Sequence, residues 1–380
     1  MLEALYTDVC AELSVGKLLC YLGRAFEPDA IRRLQGRRIP ASVLAKTRSF
    51  AWPALLYECE KRLAGVNPYR QARALSSFAA RLGRAMTRAG FGEASHIYTM
   101  LGDVTPLLEA ARARGLCTVT EIYSIPTTEQ IRMRERMRYP GFEEDMPSDL
   151  LDVVYSWLRH VIALSDWLVV PSPAVQSDLV RNFGVNASRC LLVPYGVEER
   201  WFELQNRPVN GRVLFVGTAC IGKGIHTFAQ AARLLGNEPY SYHVAGDVSD
   251  PVRKHPLTDR LTFLGRIPRM DVAREYEAAD VLVLPSLAEG SAESTLQALA
   301  AGIPVVTTKA AGSVVRDGME GFIIEGSDPD ALAARVRQIV QDRNLRQSMS
   351  HSARQRAHQF TLDKYSKRLA TALANLPSRS

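Results

Sequence analysis

Short apolar runs alternate with amphipathic stretches through the second half of the chain. The apolar runs have the length of buried strands and fall at 213–216, 240–245, 261–264, 281–284, 305–308 and 321–324. Helical periodicity or capped starts predict helices at 225–235, at 271–279, from about 294, and at 328–342. Strands that alternate with helices are typical of a doubly wound parallel sheet, so this half is predicted to be an α/β, Rossmann-like domain.

The first half repeats this alternation less clearly. Strands are predicted at 96–100, 117–123, 167–170 and 190–193, and helices at 105–114, 148–165 and 173–183. We therefore expect a second Rossmann-like domain with a parallel sheet here. Residues 36–70 carry no pattern that assigns them. The chain reaches LYTDV at its very start, which leaves open whether the opening strand and helix of such a domain are present.

A charged stretch at 198–210 has no apolar periodicity and predicts a linker. The expected organisation is an N-terminal Rossmann-like domain over 1–195 and a C-terminal Rossmann-like domain over 206–357. The helix predicted at 362–376 is expected to pack back across the boundary. A chain of 380 residues is long enough for two such domains.

Composition narrows the function classes further. No apolar run approaches the roughly 18 residues of a membrane span, and the acidic start does not resemble a signal peptide. Six scattered cysteines without close pairing indicate reduced thiols in a cytoplasmic protein and argue against a zinc site. The net charge of +7 favours anionic partners, but no basic and aromatic module points to nucleic acid.

The most informative stretch is VLVLPSLAEGSAESTLQALAAGIPVVTT, residues 281–308. It predicts strand, loop, helix and strand, which together form a parallel βαβ unit. Ligands of such sheets bind where the strand ends, and the amides of a helix N-terminus suit a phosphate. Glu289 lies in this loop, where its carboxylate is better suited to hydroxyl groups than to phosphate. One loop is therefore predicted to offer both a phosphate site and an acceptor for sugar hydroxyls.

The second half resembles the donor domain of the GT-B glycosyltransferases of family 4, the glycosyl transferases group 1 type. The resemblance rests on segments matching in order and spacing over about 150 residues: FVGTACIGKGIHTFAQAARLL (215–235), YHVAGD (242–247), FLGRIPRMDVAREYEAADVLVLPSLAEG (263–290), AAGIPVVTT (300–308) and DGMEGFIIEGSDPDALAARV (317–336). The first half agrees in layout and in the passage 165–197. The resemblance implies a GT-B fold, in which two Rossmann-like domains face a cleft.

The family's signature is a pair of glutamates eight positions apart. Glu289 matches the first, whereas Gln297 stands at the second, about two turns into the helix, where the family holds the ribose. Lys223 matches the lysine that clamps the diphosphate, but Thr218 stands where the family has an arginine, so Arg266 or another base would have to replace it. The resemblance thus implies Glu289 and Lys223 as catalytic residues.

Donor-binding residues follow from the same match. Gly217, Gly222 and Gly290 allow close backbone approach, and residues 291–295 offer backbone amides, with Ser294 also a candidate N-cap. The full donor-binding prediction comprises Gly217, Thr218, Gly222, Arg266, Gly290, Ser291, Ala292, Glu293, Ser294, Thr295 and Gln297. The resemblance implies no metal and no cofactor besides the nucleotide-sugar substrate.

Other polar features admit plainer interpretations. The D-x-D form at 328–330 is interpreted as a helix start, in which Asp328 is the N-cap and Pro329 is the first helical residue. Glu121 is a candidate on the acceptor side, although a buried or solvated acid is the alternative. A basic cluster, Arg132, Arg134, Arg136 and Arg138, could line an acceptor path or be loop charge.

A second set of arginines falls at helical spacing. Arg70, Arg73, Arg81, Arg84 and Arg88 form what we call the arginine stripe, opposite an apolar face of Leu75, Phe78, Ala79, Leu82 and Met86. Such a helix can lie on an anionic membrane, or it can be an ordinary surface helix. The location expected is therefore cytoplasmic, with peripheral contact at the inner membrane face as one possibility.

The expected function is retaining, metal-independent transfer of a sugar from a nucleoside diphosphate sugar to a glycan or lipid-linked acceptor. Two alternatives remain open. A nucleotide-sugar epimerase would share the fold, although the first half has few histidines suited to it. A catalytically weak member that only binds nucleotide sugars would explain Thr218 and Gln297.

Overall fold

The computed structural model describes residues 2–22, 34, 39–102, 104–144 and 146–377. Residues 36–38 of the unassigned segment lie outside this range. The chain divides into two compact units, which are described separately. Unit 1 comprises Met1–Glu121, Pro147–Trp167 and Pro377–Ser380, and unit 2 comprises Ile122–Met146 and Leu168–Leu376. These units follow the density of contacts, so the domain boundaries expected at 195 and 206 stay predictions.

Unit 2 contains a doubly wound parallel sheet. Its strands are β7 (Arg212–Val216), β8 (Ser241–Ala245), β9 (Leu261–Gly265), β10 (Val281–Leu284), β11 (Val305–Thr308) and β12 (Gly321–Ile324). In the described part of this unit these six strands lie in the order β12-β11-β10-β7-β8-β9, and every pairing between neighbours is parallel. The chain order reverses between β7 and β10, so their carboxyl ends form the topological switch point of the sheet.

Helices flank these strands in the sequence. They are α9 (Ile225–Leu234), α10 (Asp250–Lys254), α11 (Arg269–Ala278), α12 (Glu293–Ala300), α13 (Pro329–Gln341), α14 (Arg343–Ala357) and α15 (Leu362–Ala374). Asp328 accepts a hydrogen bond from the Ala331 amide at 2.8 Å, and Pro329 opens α13, so the N-cap interpretation of the D-x-D form is confirmed. Arg368 of α15 donates to the Pro194 carbonyl at 2.8 Å, also within unit 2.

Unit 1 is mainly helical among its described residues. Its helices are α1 (Ser14–Leu22), α2 (Ala41–Leu44), α3 (Ala51–Ala64), α4 (Pro68–Ala89), α5 (Thr105–Ala113) and α7 (Ser148–Leu164). Strand β1 (Leu5–Thr7) pairs with β2 (Thr47–Ser49), and β3 (His96–Met100) pairs with β4 (Cys117–Glu121), both in parallel. The α/β class with parallel sheets is therefore confirmed. Its core joins Leu82 and Met86 of α4 to Leu107 and Ala111 of α5.

Helix α4 carries the arginine stripe, but its faces differ from the prediction. Ala79, Leu82 and Met86 are buried as expected, whereas Leu75 is 51% exposed and does not belong to the packed face. Arg81 is turned toward α3, where it forms a bidentate ion pair with Glu60. The other four arginines of the stripe are exposed. The stripe therefore presents four exposed arginines instead of five, because Glu60 of α3 neutralises the charge of Arg81.

A segment from the first half of the sequence packs into the core of unit 2. It consists of α6 (Thr128–Arg138) and the turn that follows it, and we call residues 128–144 the docking segment. Phe142 is 0% exposed and joins the core cluster formed by β7, β8 and α9. Its ring lies 4.1 Å from that of His255, measured between centroids. The remaining elements of unit 2 are β5 (Trp167–Val170), whose first residue belongs to unit 1, α8 (Pro173–Phe183) and β6 (Cys190–Leu192).

Replacement of Phe142 by alanine should therefore destabilise unit 2. Loss of a fully buried aromatic ring is expected to lower the free energy of unfolding by roughly 3–5 kcal/mol. Urea unfolding followed by circular dichroism measures this change. The control is Met137→Ala on the same segment, because Met137 is 74% exposed and should change stability by less than about 0.5 kcal/mol. Equal effects of the two substitutions would contradict the docking described here.

Candidate active site

Two loops meet at the switch point of the unit 2 sheet. The first follows β7 and contains Gly217, a single 3-10 turn at Ile221–Lys223, and Gly224. The second follows β10 and contains Glu289 and Gly290 before α12 begins. Because β7 and β10 are parallel neighbours, their carboxyl ends lie at the same edge. The amides of Leu287 and Ala288 both donate to the Gly222 carbonyl, which joins the loops directly.

Lys223 and Glu289 form an ion pair across these loops. Lys223 Nζ lies 3.0 Å from Glu289 Oε1 and 2.9 Å from Oε2. Both side chains are partly exposed, so the pair can be reached by a ligand. Ser286 Oγ lies 3.4 Å from Glu289 Oε2. The structure thus brings together the two residues predicted to be catalytic, although they are 66 positions apart in the chain.

Close backbone contacts explain the glycines of these loops. At Gly290 an added Cβ would lie 1.5 Å from the Tyr123 carbonyl oxygen, which leaves no room for a side chain. Gly224 has a φ of +76°, and its Cβ would lie 2.1 Å from the Pro285 oxygen. Gly217 lies beside Lys223, and Gly222 lies beside the Arg132 side chain. Gly290 and Gly224 are therefore required for the backbone contacts of these loops, whereas Gly217 and Gly222 face only side chains.

Helix α12 begins without a side-chain cap, because its N-cap is Ala292 rather than Ser294. The interpretation of Ser294 as an N-cap was wrong, since the helix starts one residue before it. The absence of a capping side chain favours an anion at this end of the helix. Two of the predicted amides are already engaged: Ala292 donates to Ala311 O, and Thr295 donates to Ala292 O. Ser291, Glu293 and Ser294 complete the predicted set at this helix start.

Gln297 lies only about one turn inside α12, not two, because the helix begins at Glu293. Its amide group is held from both sides. Tyr276 donates to Gln297 Oε1 at 3.0 Å, and Gln297 Nε2 donates to Glu293 Oε1 at 2.8 Å. Burial, and secondly the charge of Glu293, raise the pKa of Tyr276 well above its ordinary range, so its hydroxyl remains a donor. Gln297 therefore orients the exposed carboxylate of Glu293.

Arg266 was the base predicted to replace the family's arginine at the position of Thr218. Thr218 is exposed after β7, and Arg266 lies after β9, where it forms an ion pair with Asp247 at 2.5 Å. Both members of this pair are largely exposed. Arg266 is thus already engaged with a carboxylate, and it would have to exchange that partner to replace the family's arginine.

The docking segment holds the first loop through a contact that no pattern in the sequence predicted. Glu143 Oε1 accepts a hydrogen bond from the Ile221 amide at 2.6 Å, and Glu143 Oε2 accepts one from Arg132 at 2.9 Å. Burial by itself raises the pKa of Glu143, but Arg132 and the Ile221 amide lower it below its usual 4.5, so the carboxylate is ionised at neutral pH. Arg136 also bonds Glu143, at 3.2 Å. Of the basic cluster predicted to line an acceptor path or to be loop charge, Arg132, Arg136 and Arg138 are therefore ion-paired on a helix.

A second polar contact joins the same segment to α9. Glu135 lies 3.2 Å from His226 Nε2 and accepts from Ser327 Oγ at 2.8 Å, and all of these groups are in unit 2. The hydrogen bond from His226 is the main cause that lowers the pKa of Glu135. The sequence offered a signal only for the pairs within the helix, Glu129 with Arg132 and Glu135 with Arg138, since three-residue spacing on a helix allows ion pairs.

Other predicted residues lie elsewhere. Glu121 is buried at the end of β4 in unit 1, where it accepts a hydrogen bond from Tyr98. No cluster of three or more His, Cys, Asp or Glu side chains in the described ranges is arranged to hold a metal ion. Within the same part of the chain, no helix combines the length and apolar character needed to cross a membrane. The six cysteines are free thiols.

Comparison with known proteins identifies the domain that carries this site. Residues 198–356 match the family model described as glycosyl transferases group 1. The chain is 28% identical to the glycogen synthase of Mycobacterium tuberculosis (strain CDC 1551 / Oshkosh) over 310 residues, which cover 78% of this chain and 73% of the relative. It is 31% identical to the D-inositol 3-phosphate glycosyltransferase of Geodermatophilus obscurus over 235 residues, covering 54% and 52% of the two chains.

Solved structures show the same fold. Sucrose-phosphate synthase from Thermosynechococcus elongatus superposes with a TM-score of 0.63 and 19% identity over 81% of this chain and 79% of that one. Anabaena HepE in complex with UDP-glucose gives a TM-score of 0.63 and 17% identity over 98% and 99%. The protein is a glycosyltransferase of the GT-B fold. It carries a glycosyl transferases group 1 domain at residues 198–356.

The Gly290 contact offers a direct test of the site's geometry. In Gly290→Ala the new methyl group would collide with the Tyr123 backbone, so the loop carrying Glu289 must move. We expect the free energy of unfolding to fall by roughly 1–3 kcal/mol, measured by urea unfolding. Gly102→Ala is the control, because its methyl group would lie 3.7 Å from the Met100 carbonyl oxygen, an ordinary van der Waals contact. A Gly290→Ala protein as stable as this control would show that the loop is not packed as described.

Proposed function

We propose that the protein transfers a sugar from a nucleoside diphosphate sugar to a glycan or lipid-linked acceptor, with retention of anomeric configuration and without a metal ion. The observation that carries this proposal is the Lys223–Glu289 pair beside the uncapped start of α12. The diphosphate would contact Lys223 and the helix amides, and the transferred sugar would place its hydroxyls against Glu289. UDP is the nucleotide we favour, since the HepE neighbour was solved with UDP and with UDP-glucose.

The chemistry requires charge stabilisation more than a protein base. As the bond from the anomeric carbon to the phosphate oxygen breaks, negative charge grows on the diphosphate. A lysine and a helix N-terminus stabilise that charge without a metal. The acceptor hydroxyl attacks the anomeric carbon, and its proton passes to the departing phosphate oxygen on the same face. Attack on the face that the phosphate leaves accounts for the retained anomeric configuration. Because the phosphate oxygen takes the proton, Glu289 is not needed as a base and can bind sugar hydroxyls.

Donor binding would also rearrange the ion pair. A diphosphate competes with Glu289 for Lys223, and a partly exposed pair of this kind contributes only about 0–1 kcal/mol to stability. Its disruption therefore costs little compared with the charge-assisted hydrogen bonds that a phosphate would form with the lysine. Glu289 would then be free to accept hydrogen bonds from the sugar.

We expect Lys223→Ala to weaken UDP binding about 10- to 100-fold, because one charge-assisted contact to the diphosphate is lost. Isothermal titration calorimetry measures this change, after a thermal-shift screen of UDP-, GDP- and ADP-sugars has selected the nucleotide. Lys254→Ala is the matched control, since Lys254 is exposed on α10 and pairs only with Asp250 among the ion pairs described. Glu289→Gln should reduce transfer far more than it reduces UDP affinity.

Several outcomes would contradict this function. If Glu289→Gln transferred sugar at the wild-type rate, Glu289 would have no role in the reaction. Epimerised donor formed without any acceptor would favour the epimerase alternative, and UDP binding without transfer across an acceptor panel would favour a catalytically weak member. Transfer abolished by chelators and restored by a divalent cation would overturn metal independence.

We further propose that unit 1 contacts an anionic membrane through the exposed part of the arginine stripe. Arg70 and Arg73 are exposed at the start of α4, next to the turn that follows α3. That turn and its flanks carry exposed apolar side chains, with Leu63 at 79% and Val66 at 92%. Cations beside exposed apolar groups are the combination that interfacial binding requires.

The double variant Arg70→Ala/Arg73→Ala should bind anionic vesicles about 30-fold more weakly, since each basic side chain near the surface contributes about 1 kcal/mol. Sedimentation with phosphatidylserine-containing vesicles measures the affinity, and vesicles of phosphatidylcholine alone report the uncharged background. Lys364→Ala/Lys367→Ala on α15 removes the same charge elsewhere and should have little effect. Equal losses in the two double variants would show that net charge, not this surface, governs binding.

A further inference from the structure

Glu143 occupies a position that the proposed reaction does not use directly. It lies in the docking segment, far in sequence from both site loops, and yet it bonds the first residue of the 3-10 turn that ends at Lys223. The N-cap of that turn, Cys220, supplies no side-chain hydrogen bond of its own. Glu143 therefore serves as the capping group for the turn.

The carboxylate of Glu143 is itself fixed by several groups. Arg132 and Arg136 bond its Oε2 atom, which leaves Oε1 for the Ile221 amide. Arg132 and Arg136 also pair with Glu129, so the two guanidinium groups are held from a second side. Arg136 is almost fully buried. This network has little freedom to reorient, because each member is held by more than one partner.

Contacts on either side of Glu143 anchor the segment to unit 2. Phe142 is buried in the core of that unit, and Tyr139 donates to Gln230 of α9 at 3.2 Å. Glu135 bonds His226, also of α9, and Ser327, a non-glycine residue with a φ of +56°. A left-handed conformation at a serine is unfavourable on its own and persists when neighbouring contacts fix it. The segment is thus held to unit 2 at several points.

The position of Lys223 depends on this turn. Lys223 is its last residue, and the Lys223 amide donates to the Cys220 carbonyl at 3.1 Å. The Gly222 carbonyl accepts from the second loop, so the turn is held by Glu143 at its start and by the loop of Glu289 in its middle. Loss of the Glu143 contact would allow the turn to shift and would move the lysine amine away from Glu289.

We propose that Glu143 is a positioning residue, which caps the 221–223 turn from the docking segment and thereby fixes Lys223 for the donor's diphosphate. The inference rests on the proposed function, because it assumes that a diphosphate binds at Lys223. Glu143 touches neither donor nor acceptor in this account. It acts through the backbone of Ile221, so its removal should affect ligands that carry a diphosphate more than ligands that do not.

The test compares UDP with uridine as titrants in calorimetry. Glu143→Ala should raise the Kd for UDP about tenfold, because the charge-assisted contact that holds the turn is lost. The Kd for uridine should remain nearly unchanged. Glu143→Gln keeps an oxygen that can accept from the Ile221 amide, so its effect should be smaller than that of the alanine variant. Glu144→Gln, a change at the neighbouring exposed acid, is the control.

A double-mutant cycle separates positioning from a general structural role. In a Lys223→Ala background, Glu143→Ala should no longer affect the Kd for UDP, because the group that it positions is absent. An unchanged tenfold effect in that background would overturn the inference, as would equal losses of UDP and uridine affinity. If Glu143→Ala does not fold, the Glu143→Gln variant carries the same cycle.

The two proposals can fail separately. Wild-type protein that binds none of UDP, GDP and ADP would overturn the proposed function. If Lys223→Ala weakens UDP binding but both Glu143 variants bind UDP as tightly as the wild type, the proposed function stands and only the inference about Glu143 is overturned. Where the screen selects GDP or ADP, that nucleotide and its nucleoside replace UDP and uridine as probes.

Discussion

The parallel pairing of β7 with β10 is the constraint on which the site depends. Chain order reverses between these strands, so their following loops leave the sheet side by side with no helix between them. Lys223 follows one strand and Glu289 the other, and the ion pair between them reflects this geometry. A sheet with another strand order would separate the two residues, whatever their local sequence.

Glycines make this close approach possible. Gly290 lies against the Tyr123 backbone, and Gly224 lies against Pro285, at distances that exclude a side chain. The loops are consequently joined by backbone groups, through the Gly222 carbonyl, and the charged side chains are left to face a ligand. The close contact of the loops therefore depends on the small size of Gly290 and Gly224.

The docking segment extends this arrangement to a distant part of the sequence. Residues 128–144 lie in the first half of the chain, but Phe142 is part of the core of unit 2 and Glu143 caps the turn of Lys223. Buried apolar area holds the segment in place, and ion pairs orient the carboxylate within it. A single carboxylate without Arg132 and Arg136 would be costly to place there, since burial disfavours its charged form.

The sequence alone determined the sheet of the second half. Apolar runs of strand length predicted all six strands of the unit 2 sheet within one residue. The central strands β10 and β11 gave the clearest signal, because they are buried on both faces. Its motifs also selected Lys223 and Glu289. Local patterns could not show that Arg81 pairs with Glu60, that Leu75 is exposed, or that Arg266 is engaged by Asp247. Each of these facts depends on which elements pack against one another in the folded chain.

The contact of Glu143 with Ile221 is the clearest example of what only the tertiary structure decided. The two residues are 78 positions apart, and neither belongs to a motif that names the other. Hydrophobic periodicity reports which face of an element is buried, but it carries no information about the partner that buries it. The sequence therefore determined Lys223, Glu289 and the strands that precede them. Tertiary packing decided that Glu143 is the carboxylate that caps the turn of Lys223.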